Sequence, residues 1–434
     1  MTMLKNKKLL ILGGTSASLD IVKVAKSMGV YTVVTDDQQC GVAKDIADEA
    51  CMVSTTDMDG LLDLIRTKSI DGVFCGPSEF NILNAMRICE LAGLPFYCTR
   101  EQWDICSNKA SFKRLCREYG VPCVSEYKID EDIENADLSH ITYPVIVKPV
   151  DGCSSKGITV CNNDDELRKA YKYALTYSQC KDVIIEKYIQ NNCDGLSVRY
   201  IANDGSLYLS LIGDRYVVDP FSRTSLISAA AIFPSKYTEL YIETIDANVR
   251  KMFQGLGIKN GTFFMQALID EDKIYFHEMG LRLSGGLTYK LTEPLNGIND
   301  VKMMIRYALG GPMCTPTEIE NISPYLNGNY AGSLCLPLKA GIIGDIKGLD
   351  EIKRMECVSD FVQYYNVGDL ITEDKIGTLM QHFGRVKIVA KSKEDIITAI
   401  DKIQDTLRVV NQEGQDMLYM RFDTRRMLMS KEHQ

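Results

Sequence analysis

Short apolar runs alternate with amphipathic stretches through the first hundred positions. Lys8–Leu12 carries four consecutive aliphatic residues and stops at Gly13-Gly14-Thr15-Ser16, the pattern of a buried strand entering a tight turn. Ser18–Ser27 follows with Ile21, Val22, Val24 and Ala25 on one side of a helix, Gly29 closes it, and Tyr31–Val34 is a second strand. Helices over Leu61–Thr67 and Phe80–Ala92 flank a strand at Gly72–Cys75. This alternation predicts a parallel sheet covered by helices.

Further along, the spacing predicts one helix from Gln102 to Tyr119, stopped by Gly120-Val121-Pro122. Residues 123–190 read as a compact α+β unit, with strands near 145–150, 157–161 and 183–187 and a helix from about Asp165 to Ser178. Strands at 197–203 and 206–213 are joined by Asn203-Asp204-Gly205, a hairpin signal. A helix over Lys236–Leu256, a hairpin carrying Phe264–Met279 and a helix over Gly297–Leu309 come next. Residues 330–411 mix strands with a helix at 393–408, and the last twenty residues read as peripheral. The expected fold class is therefore α/β and α+β: a parallel-sheet domain over 1–107, a two-lobed domain over 108–312 with its small lobe at about 123–190, and an α+β lobe over 313–434.

Composition narrows the function classes. The 434 residues are 45% hydrophobic and 25% charged, ordinary for a water-soluble globular chain. A formal net charge of −9 argues against nucleic acid or an anionic membrane as partner. No apolar run approaches a membrane span, and Leu9–Leu12 is too short for a signal-peptide core. Fifteen cysteines occur without a C-x-x-C pair, which fits buried thiols in a reducing cytoplasm. The four histidines show no zinc-ligand spacing. Gly13-Gly14-Thr15-Ser16 lacks the third glycine of G-x-G-x-x-G, so the turn is read as a place for a substrate anion rather than a dinucleotide.

Two stretches carry candidate chemistry. In the first, the strand Val145-Ile146-Val147-Lys148 leads into Asp151-Gly152-Cys153-Ser154-Ser155-Lys156-Gly157. Glycines let a loop turn its N–H groups inward, serines add hydroxyls, and Lys148 supplies a point charge suited to phosphate. A surface hairpin with an ordinary lysine is the alternative. In the second, a three-residue turn at Glu271-Asp272-Lys273 would set Gln266 directly opposite Glu278, two oxygen ligands within reach of one cation. Phe264, Leu268, Ile274 and Phe276 would share that face as an apolar bed for a base. A solvent-facing polar pair is the plain alternative. Arg215 and Arg223 lie between these stretches and are candidates for a substrate carboxylate, or for ion pairs with Asp214 or Asp219.

Taken together, Lys109, Lys148 with its glycine loop, Glu186-Lys187-Tyr188-Ile189, Gln266 and Glu278-x-x-x-Arg282 resemble the ATP-grasp superfamily, in its amino-acid ligase and biotin carboxylase-like branches. The likeness covers nearly the whole chain. It implies an N-terminal Rossmann-like domain, a two-lobed ATP-grasp domain and a C-terminal closing lobe. It further implies that Lys109 and Lys148 contact the α- and β-phosphates of ATP and that Gly152, Ser154, Ser155 and Gly157 close over its phosphates. Glu186 would accept from the adenine amino group, the backbone of Lys187 and Ile189 would read the ring edge, and Leu268 would lie under the base. Gln266 and Glu278 would hold one or two Mg²⁺ ions, Arg282 would stabilise the transferring phosphoryl group, and Gly285-Gly286 would line the acceptor pocket. Two departures stand out: Gly280 replaces the family's frequent asparagine, and only Asp194 is available near the ribose.

The implied activity is ATP-dependent carboxylate–amine ligation through an acyl phosphate, releasing ADP and acting on small-molecule carboxylate and amine substrates. The alternatives are a carboxylase that activates bicarbonate and a catalytically inactive ATP-binding protein. Similar proteins are commonly dimers, which makes a homodimer the oligomeric state to test.

Overall fold

The computed structural model describes residues 4–129, 132–151, 157–189, 194–218, 227–271 and 273–428, apart from the side chain of Asp194. The N-terminal strands pair in parallel in the order Glu49–Cys51, Tyr31–Thr35, Lys8–Leu12, Gly72–Cys75. Leu9, Leu10, Ile11 and Leu12 are fully buried, because helices Ser16–Ser27, Met58–Lys68 and Glu79–Ala92 cover the sheet.

The helix expected over Gln102–Tyr119 is two. Asn108 takes an extended conformation (φ −91°, ψ 116°), ends Arg100–Ser107 and caps Lys109–Glu118 through its side chain, which accepts from the Ser111 N–H. Lys109 therefore stands in a first helical turn. The helix expected over Gly297–Leu309 also has a neighbour that the pattern missed: Tyr289–Asn296 ends at Gly297 (φ 75°), and Asn299 caps Asp300–Ala308.

The small lobe is an antiparallel sheet in the order Glu126–Tyr127, Val183–Lys187, Val145–Pro149, Thr159–Cys161, backed by helix Asp164–Tyr177. The largest sheet has eight antiparallel strands: Lys273–Gly280, Gly261–Asp270, Asp194–Asn203, Ser206–Val217, Ser228–Phe233, Tyr330–Pro337, His382–Ala390 and Val358–Gln363. Ser228–Phe233 pairs with Tyr330–Pro337, so one continuous sheet carries both the metal-binding candidates and the C-terminal strands.

One hydrophobic core runs from the N-terminal sheet into Val198, Tyr200, Phe263 and Phe276 on one side of the large sheet. A second lies beneath the C-terminal strands. The tail contributes to it, contrary to the peripheral reading: Met417, Phe422 and Met427 are buried there, and Gln404 exchanges two hydrogen bonds with the Phe422 backbone. The tail's apolar residues come as Met417-Leu418-Tyr419-Met420, Phe422 and Met427-Leu428-Met429, clusters with neither a helical nor an alternating period.

Candidate active site

Along strand Gly261–Asp270 side chains alternate. Met265, Ala267 and Ile269 enter the main core, so Phe264, Gln266 and Leu268 face the other way. Gln266 does pair with Glu278, but by a different route from the one expected. Asp270 pairs with Lys273, leaving a two-residue turn, and Ile269 pairs with Ile274, Leu268 with Tyr275 and Ala267 with Phe276. A bulge at His277 then restores the register. The turn moves Ile274 and Phe276 to the core side, so the apolar bed is corrected to Phe264 and Leu268, with Tyr275 opposite Leu268.

Arg215 donates to Gln266 Oε1, rather than pairing with Asp214, whose carboxylate accepts from Ser235 Oγ at 2.5 Å and the Lys236 N–H at 3.3 Å. Lys109 Nζ lies 4.0 Å from Glu278 Oε2, and the Lys109 N–H donates to the Val150 carbonyl. Burial works against the charged form of Glu278. His277, Lys109, Arg215 and Lys148 outweigh it and hold the carboxyl below its ordinary range. One carboxylate and one amide oxygen on facing strands suit a hard cation whose remaining positions go to phosphate and water. Among the described residues no cluster of three or more His, Cys, Asp or Glu gathers elsewhere to compete for it.

Two lysines meet on Glu186 of the small lobe. Lys148, near the end of Val145–Pro149, donates to Glu186 Oε2 at 2.6 Å. Lys113 donates to the other oxygen, Oε1, and also lies 2.7 Å from Glu126 Oε1. Burial alone would raise the Glu186 carboxyl, but Lys148 and Lys113 bring it down to about 2. Glu186, expected to meet an adenine amino group, is thus already held by two ammonium groups. Sequence reasoning missed Lys113. The signal was present: Lys109, Phe112, Lys113 and Cys116 are the buried residues of one helix, an i, i+3, i+4, i+7 stripe with two lysines in it.

The remaining candidates are placed as follows. The Lys187 N–H donates to the Ser125 carbonyl, its ammonium reaches Asp270 Oδ2 at 3.3 Å, and Ile189 is buried. Arg282 donates to Glu79 Oε1 from Nη2 at 3.0 Å and stacks over Phe264 with 5.2 Å to the ring centre. The Gly285 and Gly286 carbonyls accept from Arg385 Nη1 at 2.9 Å and Lys387 Nζ at 2.5 Å. Gly157 has φ 73°, which favours glycine. Gly152, Ser154, Ser155 and Arg223 lie outside the described residues, as does the Asp194 side chain. At the N-terminal turn the Gly14 N–H donates to Asp36 Oδ2 at 2.6 Å, and Lys44 lies 2.5 Å from Oδ1. The turn expected to take a substrate anion thus faces a carboxylate of its own chain.

Residues 108–315 match the family model described as carbamoyl-phosphate synthase L chain, ATP binding domain. Formate-dependent phosphoribosylglycinamide formyltransferase of Sulfurisphaera tokodaii is 26% identical over 328 residues, 73% of this chain and 79% of that one. L-amino acid ligase from Bacillus licheniformis superposes with a TM-score of 0.74 at 21% identity, covering 94% of this chain and 99% of that one. The biotin carboxylase domain of Hydrogenobacter thermophilus 2-oxoglutarate carboxylase, a dimer in complex with magnesium ADP and bicarbonate, gives 0.76 at 21% identity, covering 95% and 91%. The matched segment starts at the Asn108 cap and takes in both lysines and the hairpin, and the chain shares the fold of these ligase and carboxylase structures.

Proposed function

We propose that this protein is an ATP-dependent carboxylate–amine ligase. A carboxylate oxygen attacks the γ-phosphorus of ATP, the bond to the bridging oxygen breaks and ADP leaves. The amine nitrogen then attacks the acyl carbon, phosphate departs with the C–O bond, and one proton is released. The observation that carries this reading is the opposition of Gln266 and Glu278 with Lys109 Nζ 4.0 Å from the Glu278 carboxylate. A cation and its negative ligands within such reach suit a polyphosphate with its metal.

In this reading Lys109 and Lys148 hold the α- and β-phosphates, and the 151–157 loop excludes water from the mixed anhydride. Mg²⁺ held by Gln266 and Glu278 supplies charge neutralisation at the phosphates. Arg282 stabilises the transferring group, a role that requires it to leave Glu79 or to share itself with it. Arg215, in contact with Gln266, stands ready for the substrate carboxylate. The division into 1–107, 108–312 and 313–434, a homodimer and a cytoplasmic setting belong to the same proposal. The 2-oxoglutarate carboxylase domain being a dimer supports the second of these, and among the described residues no helix is long and apolar enough to cross a membrane.

The test is phosphate release from ATP and Mg²⁺ across paired amino acids, with bicarbonate in a separate well. ADP and phosphate should form with a pair of substrates. AMP and pyrophosphate would reject the acyl-phosphate route, release with bicarbonate alone would favour a carboxylase, and tight ATP binding without turnover would leave a nucleotide-binding protein.

A further inference from the structure

Strand Ser206–Val217 carries Arg215 close to its end, and its pairing with Ser228–Phe233 slips just beyond that residue. Arg215 pairs with Ala231 and Tyr216 with Ala230, but Val217 pairs with Ser228, leaving Ala229 as the extra residue of a bulge. One further backbone bond, from the Val218 N–H to the Ile227 carbonyl at 2.9 Å, closes the pair. A bulge bends its strand and re-aims the side chains beside it. Whatever fixes this bulge therefore also fixes where Arg215 points.

Both carbonyls of the slipped pair are taken by side chains from the C-terminal part of the chain. Arg426 Nη1 donates to the Val217 carbonyl and His382 Nε2 to the Ser228 carbonyl, each at 3.0 Å. His382 is fully buried at the start of strand His382–Ala390. Burial and Arg385 push its imidazole down to about 4, so at neutral pH the ring is uncharged and its one N–H goes to Ser228. Arg426 comes from much further along, in the short helix Arg425–Leu428, 209 positions beyond Val217.

The guanidinium of Arg426 packs against two rings, 5.7 Å from the centre of Tyr216 and 5.2 Å from that of Phe422. Those rings meet edge to face with their centres 5.4 Å apart. Tyr216 is the neighbour of Arg215 and enters the second core, on the opposite side of the sheet. The segment leading to Arg426 is stitched down along its length. The Met417 N–H donates to the Val409 carbonyl and the Tyr419 N–H to the Pro337 carbonyl, both at 2.8 Å. Thr424 Oγ1 donates to the Asp401 carboxylate at 3.1 Å. Arg426 itself is not placed for its own comfort: its Nε and Nη2 are buried without a hydrogen-bond partner among the described residues. Burying such groups costs stability, which the two rings and the Val217 carbonyl offset.

We propose that Arg426 and His382 are positioning residues: they fix the bulge at Val217 and Ser228 and thereby hold Arg215 where it meets the substrate carboxylate. Only what Arg215 meets rests on the ligase reading.

Hydrogen exchange reads the bulge without any substrate. Arg426→Met should speed exchange of the amides of residues 215–218 and 227–230 about tenfold or more, with Leu9–Leu12 unchanged. Unchanged exchange at the bulge overturns the proposal. Hydroxamate formation by the wild type, with ATP, hydroxylamine and a panel of carboxylic acids, tests the ligase reading by itself. With an acid found, Arg426→Met should raise KM for that acid about tenfold while kcat and KM for ATP stay within about twofold. Arg426→Lys keeps a cation against the rings and a donor for the carbonyl, so it should recover most of the rise. His382→Phe, which keeps a ring and removes the donor to Ser228, should give the same split and the same faster exchange should Arg426→Met not fold. An unchanged KM for the acid, an equal rise for ATP, or no recovery in Arg426→Lys overturns the positioning role. If no acid gives hydroxamate the ligase reading fails alone, and exchange still decides whether Arg426 and His382 fix the bulge.

Discussion

Lys148 donates to Glu186 at 2.6 Å, with 7% and 1% of the two side chains exposed. A strand-end lysine serving only phosphate would be dispensable to the fold, but this one neutralises a buried carboxylate. Lys148→Met should therefore do two things at once. It should abolish ATP binding, and it should lower unfolding free energy by about 3 kcal/mol or more, the cost of breaking one partner out of a buried pair. Denaturant unfolding and calorimetric ATP titration measure the two effects separately. Unchanged ATP affinity in folded Lys148→Met would remove Lys148 from the nucleotide site.

The same carboxylate sets an acid limit. Glu186 falls from a model-compound value of 4.5 to about 2 in the folded chain, so the unfolded chain takes up its proton first as pH drops. Its contribution is present in full above pH 4.5 and is lost as pH falls toward 2. Glu186→Gln should destabilise the protein at neutral pH, since Lys113 and Lys148 would lose their shared counter-charge. The gap from wild type should then narrow between pH 4.5 and 2. A gap that stays constant across that window would mean the two lysines do not hold Glu186 ionised.

How much of this was readable in advance depended on periodicity. Leu9–Leu12, the helix around Ile21–Ala25 and the opposition of Gln266 to Glu278 all follow from local patterns of two or three and a half residues. The pairing was right although the turn was not, because the two-residue turn and the bulge at His277 shift the register by one each and cancel. Lys113 was hidden by the rule that lysine is exposed, which a buried stripe with a carboxylate at hand overrides. The Ser333–Lys387 pairing joins strands fifty-four positions apart, and no local pattern specifies such a partner.

Glu79 holds Arg282 by hydrogen bonds of 3.0 and 3.3 Å, with 41% of the Glu79 side chain exposed. An exposed pair of this kind contributes about 1 kcal/mol or less to stability. Glu79→Gln should leave the midpoint of thermal unfolding within a few degrees of wild type, while Arg282→Lys should reduce kcat by about a hundredfold if the guanidinium meets the transferring phosphoryl group. Steady-state kinetics on both variants check this. A larger kcat loss in Glu79→Gln than in Arg282→Lys would reverse the assignment and make Arg282 a tether between the N-terminal helix Glu79–Ala92 and the hairpin.

The hairpin gives the sharpest test. Glu278 carries the only formal charge of the ligand pair, so Glu278→Gln should raise the Mg²⁺ concentration for half-maximal rate about tenfold or more. Gln266→Glu should do far less, because the new carboxylate meets both the cation and Arg215, which already donates to that side chain. Adding the missing ligand at Gly280 is a different matter. Gly280→Asn would restore the asparagine frequent in the family, but a Cβ there would come 2.6 Å from the Phe264 ring, its cross-strand partner. The ring must move, and Arg282, stacked over it, moves with it. Gly280→Asn should therefore cost about 1–3 kcal/mol of stability and lower activity without improving Mg²⁺ affinity. Measuring rate against Mg²⁺ concentration for all three variants separates these outcomes. The same Mg²⁺ dependence in wild type and Glu278→Gln would make the hairpin a structural element and move the metal elsewhere.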